Sequence, residues 1–361
     1  MPLNIEADRL SGALKSAAAI VESKSTLPLL AMVRLVAEGD TLEVMTSNLD
    51  IEYRQVIAAA VDEPFSCCVD AKRLAAMAIA ADGNMTMALD GNILTIKAGR
   101  SKWAAPSLPI DDFPIMPVDK LSPAMKVNNL ATIAKRTAWA VCTEVHRAYL
   151  SGVYLNNEVG AARWVATDGY QLASVITETK WPKGAPDVVV PAPLIRAIAG
   201  AAGNETAKLE WDATKLRFTS GSVTITGKMI EDNFPDYRRI IPSVDGSSFT
   251  VDAAELNGAV VRVRIASDAK ERKLRVRRQN ASLSIRIEGT SGFEGEEEVA
   301  AECDEGHECG LNADYLVAML SAMDAETIIV SQENAGSAIH LRPSVHPEGM
   351  TFDGVIWPMR I

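Results

Sequence analysis

Apolar and polar residues recur with two different periods along this chain of 361 residues, and the periods change over at regular places. Helical spacing comes first: Leu10, Ala13, Leu14, Ala17 and Val21 fall at i, i+3, i+4, i+7 and i+11. Leu130, Ile133, Ala134, Thr137 and Val141 repeat that spacing, and Leu256, Ala259, Val260 and Val263 keep the same stripe. A second helix is expected midway after each, at about 71–81, 192–202 and 313–323. Asp70 and Asn312 suit N-caps, since a short side-chain oxygen can accept from orphan N–H groups, and Pro191 suits an N-terminal position. Between the helices the period falls to two, in "TLEVMTS", "IEYRQVIA", "MTMALDGNILTIKAG", "SVTITGKM", "ASLSIRIEG", "TIIVSQ" and "SAIHLRP". Asp90-Gly91-Asn92 and Asp168-Gly169 punctuate these strands as turns.

The same signatures return every 121 residues. Thr46 answers to Thr167, Phe113-Pro114 to Phe234-Pro235, and Ala71, Ala192 and Ala313 each open a helix-like run. Three such periods make 363, close to the chain length of 361. Solenoid units run to roughly 20–50 residues, so this period is the size of a small domain. The expectation is three copies of one α+β domain, at 1–121, 122–243 and 244–361, each with two helices covering one face of an antiparallel sheet. Three such domains in a row bend into an arc. Self-association of arcs closes a ring with helices on one wall.

Composition narrows the class. Apolar residues make up 48% of the chain, ample for packed cores, and no apolar run is long enough to span a membrane. The start "MPLNIEADRL" lacks a basic region followed by an apolar stretch, so no secretory signal is expected. Five cysteines (67, 68, 142, 303, 309) without a C-x-x-C pair fit a reducing compartment, hence a cytoplasmic location. The net charge of −11 is uneven: 11 basic against 16 acidic residues in 1–120, 14 against 11 in 121–243, and 11 against 20 in the remainder. Much of the last deficit lies in "GFEGEEEVAAECDEGHEC". Such a balance excludes a protein basic all round, but leaves room for one basic surface on an acidic molecule. Lys15, Lys72, Arg73, Lys135, Arg136, Arg196, Arg262 and Arg264 lie on the expected helices, off their apolar stripes.

Catalytic patterns are weak. Cys142, Glu144 and His146 alternate on a turn with no oxyanion donor or orienting acid in view. Cys303, His307 and Cys309 match no standard zinc spacing, and period two would set all three on one face. No phosphate loop, nucleotide fingerprint or nucleophile elbow occurs. The expectation is a non-catalytic protein without cofactor or metal.

The motifs "KSTLPLL" (24–30), "DDFP" (111–114), "YLSGVYL" (149–155), "VATDGYQLA" (165–173), "NFPDYRRIIP" (233–242) and "VIWPMRI" (355–361) resemble, in order, the bacterial replicative sliding clamp family, the beta subunit of DNA polymerase III. The resemblance implies a DNA-clamp fold: a head-to-tail homodimeric ring of six domain copies, helices toward double-stranded DNA and continuous sheet outside. It implies sequence-independent DNA binding, with processivity conferred on a DNA polymerase. Polymerase and clamp loader would be held through short peptide motifs, with no membrane partner. Diffuse Lys and Arg near phosphates permit sliding, because their attraction carries no sequence information. A monomeric clamp-fold adaptor that binds peptides without encircling DNA is the alternative.

Carried over by motif, the peptide cleft would be lined by Leu150, Thr167, Gly169, Tyr170, Gln171, Leu172, Pro235, Arg239, Ile240, Ser337, Val355, Trp357, Pro358 and Met359. The resemblance adds Lys24 and Arg147 to the DNA-facing cations, and sets Lys102-Trp103 against Ile265-Ala266 at the ring seam. Three departures from the family pattern bear on these roles. Tyr170-Gln171 stands where the family has His-Arg, Trp357 where it has an aliphatic or Met side chain, and Glu144 where it has an uncharged polar residue.

Overall fold

The computed structural model describes residues 3–21, 27–117, 120–203, 205–242, 248–267 and 272–361. Six α-helices form among them: α1 (Ala7–Ala18), α2 (Ala71–Ile79), α3 (Leu130–Thr137), α4 (Ala192–Ala201), α5 (Ala253–Val263) and α6 (Ala313–Met323). The chain divides into two compact units, residues 1–131 with 182–186 and 193–229, and residues 132–181 with 187–192 and 230–361.

In the first unit α1 and α2 pack on each other. The predicted stripe of Leu10, Ala13, Leu14 and Ala17 is buried there. Asp70 caps α2 as expected, its carboxylate accepting the Arg73 N–H at 2.8 Å. The helices lie on an antiparallel sheet of eight strands, beginning Phe65–Asp70, Met32–Glu38, Thr41–Ser47, Ile51–Ala58. It continues through Val223–Lys228, Lys215–Ser220, Ala207–Trp211 and Ala124–Val127. The sheet therefore crosses from the first sequence copy to the second where Tyr53 meets Ile225. A four-stranded sheet runs Leu3–Glu6, Asn84–Asp90, Ile93–Ala98, Ser101–Pro106, with the last strand at its edge.

The second unit holds a twelve-stranded sheet. Its first half is Val188–Pro191, Gly152–Glu158, Ala161–Thr167, Gln171–Lys180, Met350–Ile356, Ile339–Pro343. Its second half is Thr327–Ser331, Ser248–Asp252, Glu294–Glu302, Ser282–Glu288, Lys273–Gln279, Glu308–Asn312. Leu172 faces Val355 across the joint between the second and third copies. Helices α5 and α6 pack together, and Asn312 caps α6 by accepting the Asp314 and Tyr315 N–H groups. Helix α3 is shorter than its spacing predicts: it gives way after Thr137 to a 3₁₀ turn at Ala138–Ala140, so Val141 lies beyond it. The Thr137 hydroxyl donates to the Ile133 carbonyl at 2.8 Å, a back-bond that competes with the helix ladder. No helix of the described residues is long and apolar enough to cross a membrane.

Candidate peptide cleft

The turn between strands Ala161–Thr167 and Gln171–Lys180 builds one wall. Asp168 Oδ1 accepts the N–H groups of Tyr170 (2.8 Å) and Gln171 (3.0 Å), and its Oδ2 accepts from Gln171 Nε2 at 2.9 Å. Thr167 Oγ1 donates to the Gln171 carbonyl at 2.6 Å and accepts the Gly169 N–H at 3.0 Å. Gly169 takes φ of 91°, a left-handed conformation that suits glycine. These bonds bury Thr167 and Gln171 and leave Tyr170 53% exposed at the tip. Arg147 braces the turn from outside: it donates to the Asp168 carbonyl at 2.8 Å and sits 5.8 Å from the Tyr170 ring centroid. Burial first, and then the Asp168 carboxylate, push the pKa of the Tyr315 hydroxyl up to about 12.

The floor is apolar. Val165, Leu172, Tyr237 and Val355 are buried together, with Tyr154, Phe234, Ile241, Ala338 and Trp357 packed partly covered against them. Tyr154 and Phe234 stack with centroids 4.7 Å apart and 7° between planes, and Tyr237 meets both edge-on. The Tyr237 hydroxyl donates to Asn156 Oδ1 at 3.0 Å, and Arg163 and Arg238 lie 5.0 Å from its ring centroid. Desolvation raises the Tyr237 pKa against the lowering effect of those guanidinium groups.

Of the predicted lining, Leu172, Val355 and Trp357 belong to this floor, and Thr167, Gly169, Tyr170 and Gln171 to the turn beside it. Leu150, Leu172 and Val355 are buried, which makes them support beneath the surface. Trp357 gives its N–H to the Tyr170 carbonyl at 2.9 Å, tying the C-terminal segment to the turn. Met359 donates its N–H to the Gly310 carbonyl at 2.8 Å and is 40% exposed. The Ser337 carbonyl accepts from Gln332 Nε2 at 2.9 Å. Ile240 and Pro358 are half-buried, Pro235 is exposed, and the exposed Arg239 pairs with Asp236 at 3.1 Å. Sequence reasoning missed Asp168, Tyr315 and the ring trio of Tyr154, Phe234 and Tyr237. Phe234 and Tyr237 stood inside the quoted "NFPDYRRIIP" motif, so a signal was there.

The expected DNA-facing cations separate in the structure. Lys15, Lys72 and Arg196 are exposed on their helices. Arg73 is exposed with Asp70 3.9 Å away, and Lys135 is 3.6 Å from Asp324. Arg262 pairs with Glu297, and Arg264 with Asp314 at 2.7 Å. Arg136 is a correction: only 3% exposed, it donates to the Met323 carbonyl at 3.1 Å and to Met350 Sδ at 3.3 Å, and lies over the Phe352 ring. Burial lowers its pKa, and Asp324 opposes that shift. A guanidinium so enclosed cannot meet a phosphate. Arg147, bound to Asp168 and 3.2 Å from Glu144, belongs to the cleft wall. Lys24 lies outside the described residues.

At the expected seam Lys102 is exposed and Trp103 half-buried on the edge strand Ser101–Pro106, while Ile265 is 83% exposed and Ala266 half-buried. The catalytic alternatives do not assemble. Cys142 is buried, Glu144 is paired with Arg147, and His146 is exposed. Cys303 Sγ is 3.3 Å from the Gln279 carbonyl, while His307 Nε2 contacts Gln332 Oε1 at 2.7 Å. The segment from Cys303 to His307 precedes strand Glu308–Asn312, so strand alternation does not govern it. Among the described residues no group of three or more His, Cys, Asp or Glu could hold a metal ion.

Three sequence profiles match in tandem: DNA polymerase III beta subunit, N-terminal domain over residues 1–117, central domain over 124–236, and C-terminal domain over 238–360. The beta sliding clamp of Caulobacter vibrioides is 35% identical over 334 residues, covering 88% of this chain and 89% of the relative. That of Pseudomonas aeruginosa is 30% identical, covering 94% and 96%. A polyethylene glycol-bound crystal structure of the C. crescentus beta sliding clamp superposes with a TM-score of 0.88 at 31% identity, over 100% of this chain and 99% of the other. The griselimycin-bound clamp from P. aeruginosa does so with a TM-score of 0.88 at 27% identity, over 100% of both chains. Three tandem matches spanning nearly the whole sequence, on a fold shared along its full length, place this chain in the family of DNA polymerase III beta subunits, the bacterial sliding clamps.

Proposed function

We propose that two copies of this chain pair head to tail into a ring around double-stranded DNA and hold polymerase and clamp loader by short peptides seated in the cleft. The observation that carries the peptide half is the aromatic floor beside partly uncovered Trp357 and Tyr170. Extended peptides with apolar anchors fit such a surface, and the fixed carbonyls and hydroxyls around it orient them. Exposed Lys15, Lys72, Lys135 and Arg196 support attraction to phosphates without base readout. The protein then acts without catalysis, and an ATP-driven loader must open the ring.

Two open sheet edges support the pairing. Strand Ser101–Pro106 pairs on one side only, and Lys97 and Lys102 oppose each other in its register with Arg100 at the turn. Like charges directly opposite are unfavourable unless an acidic neighbour answers them. Strand Glu294–Glu302 pairs with Ser282–Glu288 along its length, but with Ser248–Asp252 only at Ala301 and Glu302. Its remaining edge is open and carries Glu294, Glu296 and Glu298. An unpaired edge is a template for a partner strand.

Small-angle scattering with in-line light scattering tests the ring. A mass of twice 38.7 kDa and a distance distribution with a central void support it. A monomer at every concentration overturns it and leaves a peptide-binding adaptor.

A further inference from the structure

We infer that the apolar part of the contact between two copies is carried in this chain by Phe293, acting with Ile265 against the Trp103 edge of the second copy. This rests on the ring reading above. Phe293 stands 69% exposed at the tip of the hairpin joining Ser282–Glu288 to Glu294–Glu302, and Ile265 stands 83% exposed on the 3₁₀ turn Arg264–Ala266. The glycines flanking the tip bring these two segments together. A Cβ on Gly289 would collide with the Ala266 carbonyl, and one on Gly295 would come within 3.0 Å of the Val263 carbonyl and 3.3 Å of Ala266 Cβ. The hairpin thus lies directly on the turn, and the Gly289 N–H closes the tip by donating to the Phe293 carbonyl at 2.8 Å.

The occupant is a second copy because apolar surface and charge point the same way. Directly after Phe293 the open edge runs Glu294, which pairs with Arg286 of its own hairpin at 3.0 Å, and then Glu296 and Glu298. The edge strand of the other copy offers half-buried Trp103 flanked by Lys102, with Lys97 opposite. Among the described residues neither lysine has an acidic partner of its own. Ala266 presents only a methyl group to such a contact, and Phe293 supplies the ring that a seam built on Ile265-Ala266 alone would lack. A large side chain left this exposed next to an open edge marks an interaction surface rather than a core position.

Sedimentation velocity of the full chain across a wide concentration range tests the assignment, using wild type, Phe293→Ser, Ile265→Ser and the distant exposed control Val345→Ser. The expected result is a dimer whose dissociation constant rises about 30-fold in Phe293→Ser, rises in Ile265→Ser, and is unchanged in Val345→Ser. Unaltered melting temperatures check that the exposed substitutions leave the fold intact. A Phe293→Ser protein that dimerises like wild type, while Ile265→Ser does not, overturns the role of Phe293 and spares the ring. A wild type that is monomeric throughout overturns the ring reading itself.

Discussion

At the joint between the first and second copies, strand Ile51–Ala58 pairs with Val223–Lys228; at the joint between the second and third, Gln171–Lys180 pairs with Met350–Ile356. Thr46 and Thr167 hold corresponding places and both are buried, but Thr46 donates to the Ala17 carbonyl of α1 and Thr167 to its own turn. At the first joint the turn presents Leu49 with φ of 73°, and Asp50 forms an ion pair with Lys228 at 2.8 Å. By register Met229 corresponds to Trp357. Met229 is buried and donates its N–H to the Thr214 carbonyl, whereas Trp357 donates to the Tyr170 carbonyl and stays partly uncovered. The adjoining clusters differ as well: Met45, Cys68 and Phe113 in one, and Val165, Leu172, Tyr237 and Val355 with three further aromatic rings in the other. One backbone joint, used twice, is thus finished as a closed seam with a solvent-facing ion pair or as an aromatic surface able to receive a partner. Side-chain size and coverage make the difference, since the strand pairing is the same.

The largest effect should come from beneath the second joint. Arg136→Ala empties a buried site and strips the Met323 carbonyl of its donor, and should cost about 3 kcal/mol in urea unfolding. Lys135→Ala, the exposed neighbour, should stay within about 0.5 kcal/mol. Next, Trp357→Ala should weaken a clamp-binding peptide about 30-fold by calorimetry. Met229→Leu at the corresponding place in the first joint should leave that affinity unchanged; equal losses would erase the functional contrast. Restoring the family residues with Gln171→Arg and Trp357→Met should shift the affinity of a fixed peptide about fivefold while preserving binding. Identical affinity would show that these departures do not tune preference.

A smaller effect is expected from acid. His346 Nδ1 accepts the Phe352 N–H at 3.3 Å. Burial first, with Arg342 and Arg136, holds its pKa below 6.5 against the opposing pull of Asp353. A folded pKa below the unfolded one gives stability that is present above pH 6.5 and lost as pH falls through the folded value. The urea midpoint of wild type should therefore drop between pH 7 and pH 5 more than that of His346→Asn. Smallest of all, Lys228→Ala should change stability by less than about 0.5 kcal/mol, because both partners of its ion pair are largely exposed.

Helix stripes, caps and hairpin turns were legible because they depend on neighbours within a few residues. Leu10, Ala13, Leu14 and Ala17 are buried as their spacing requires, and Asp70 and Asn312 cap as their chemistry requires. Charge was legible only as a count. Lys135 and Arg136 are adjacent on the same helix and alike in sequence, yet one meets solvent and the other a buried carbonyl more than 180 residues away. Arg147, read as a cation for DNA, also braces the Asp168 turn, a contact that its sequence neighbours did not announce.

By itself, then, the sequence determined a repeated α+β domain, the places of its helices and turns, and through its ordered motifs the family. These rest on local periodicity and on short residue patterns, which survive without knowledge of distant contacts. Only the tertiary structure decided which cations are exposed, that three rings from two segments pack together beside Trp357, and that Phe293 stands uncovered beside Ile265. Each of those depends on residues far apart in the chain being brought together, and burial of a charged or aromatic side chain is set by that assembly rather than by its sequence neighbours.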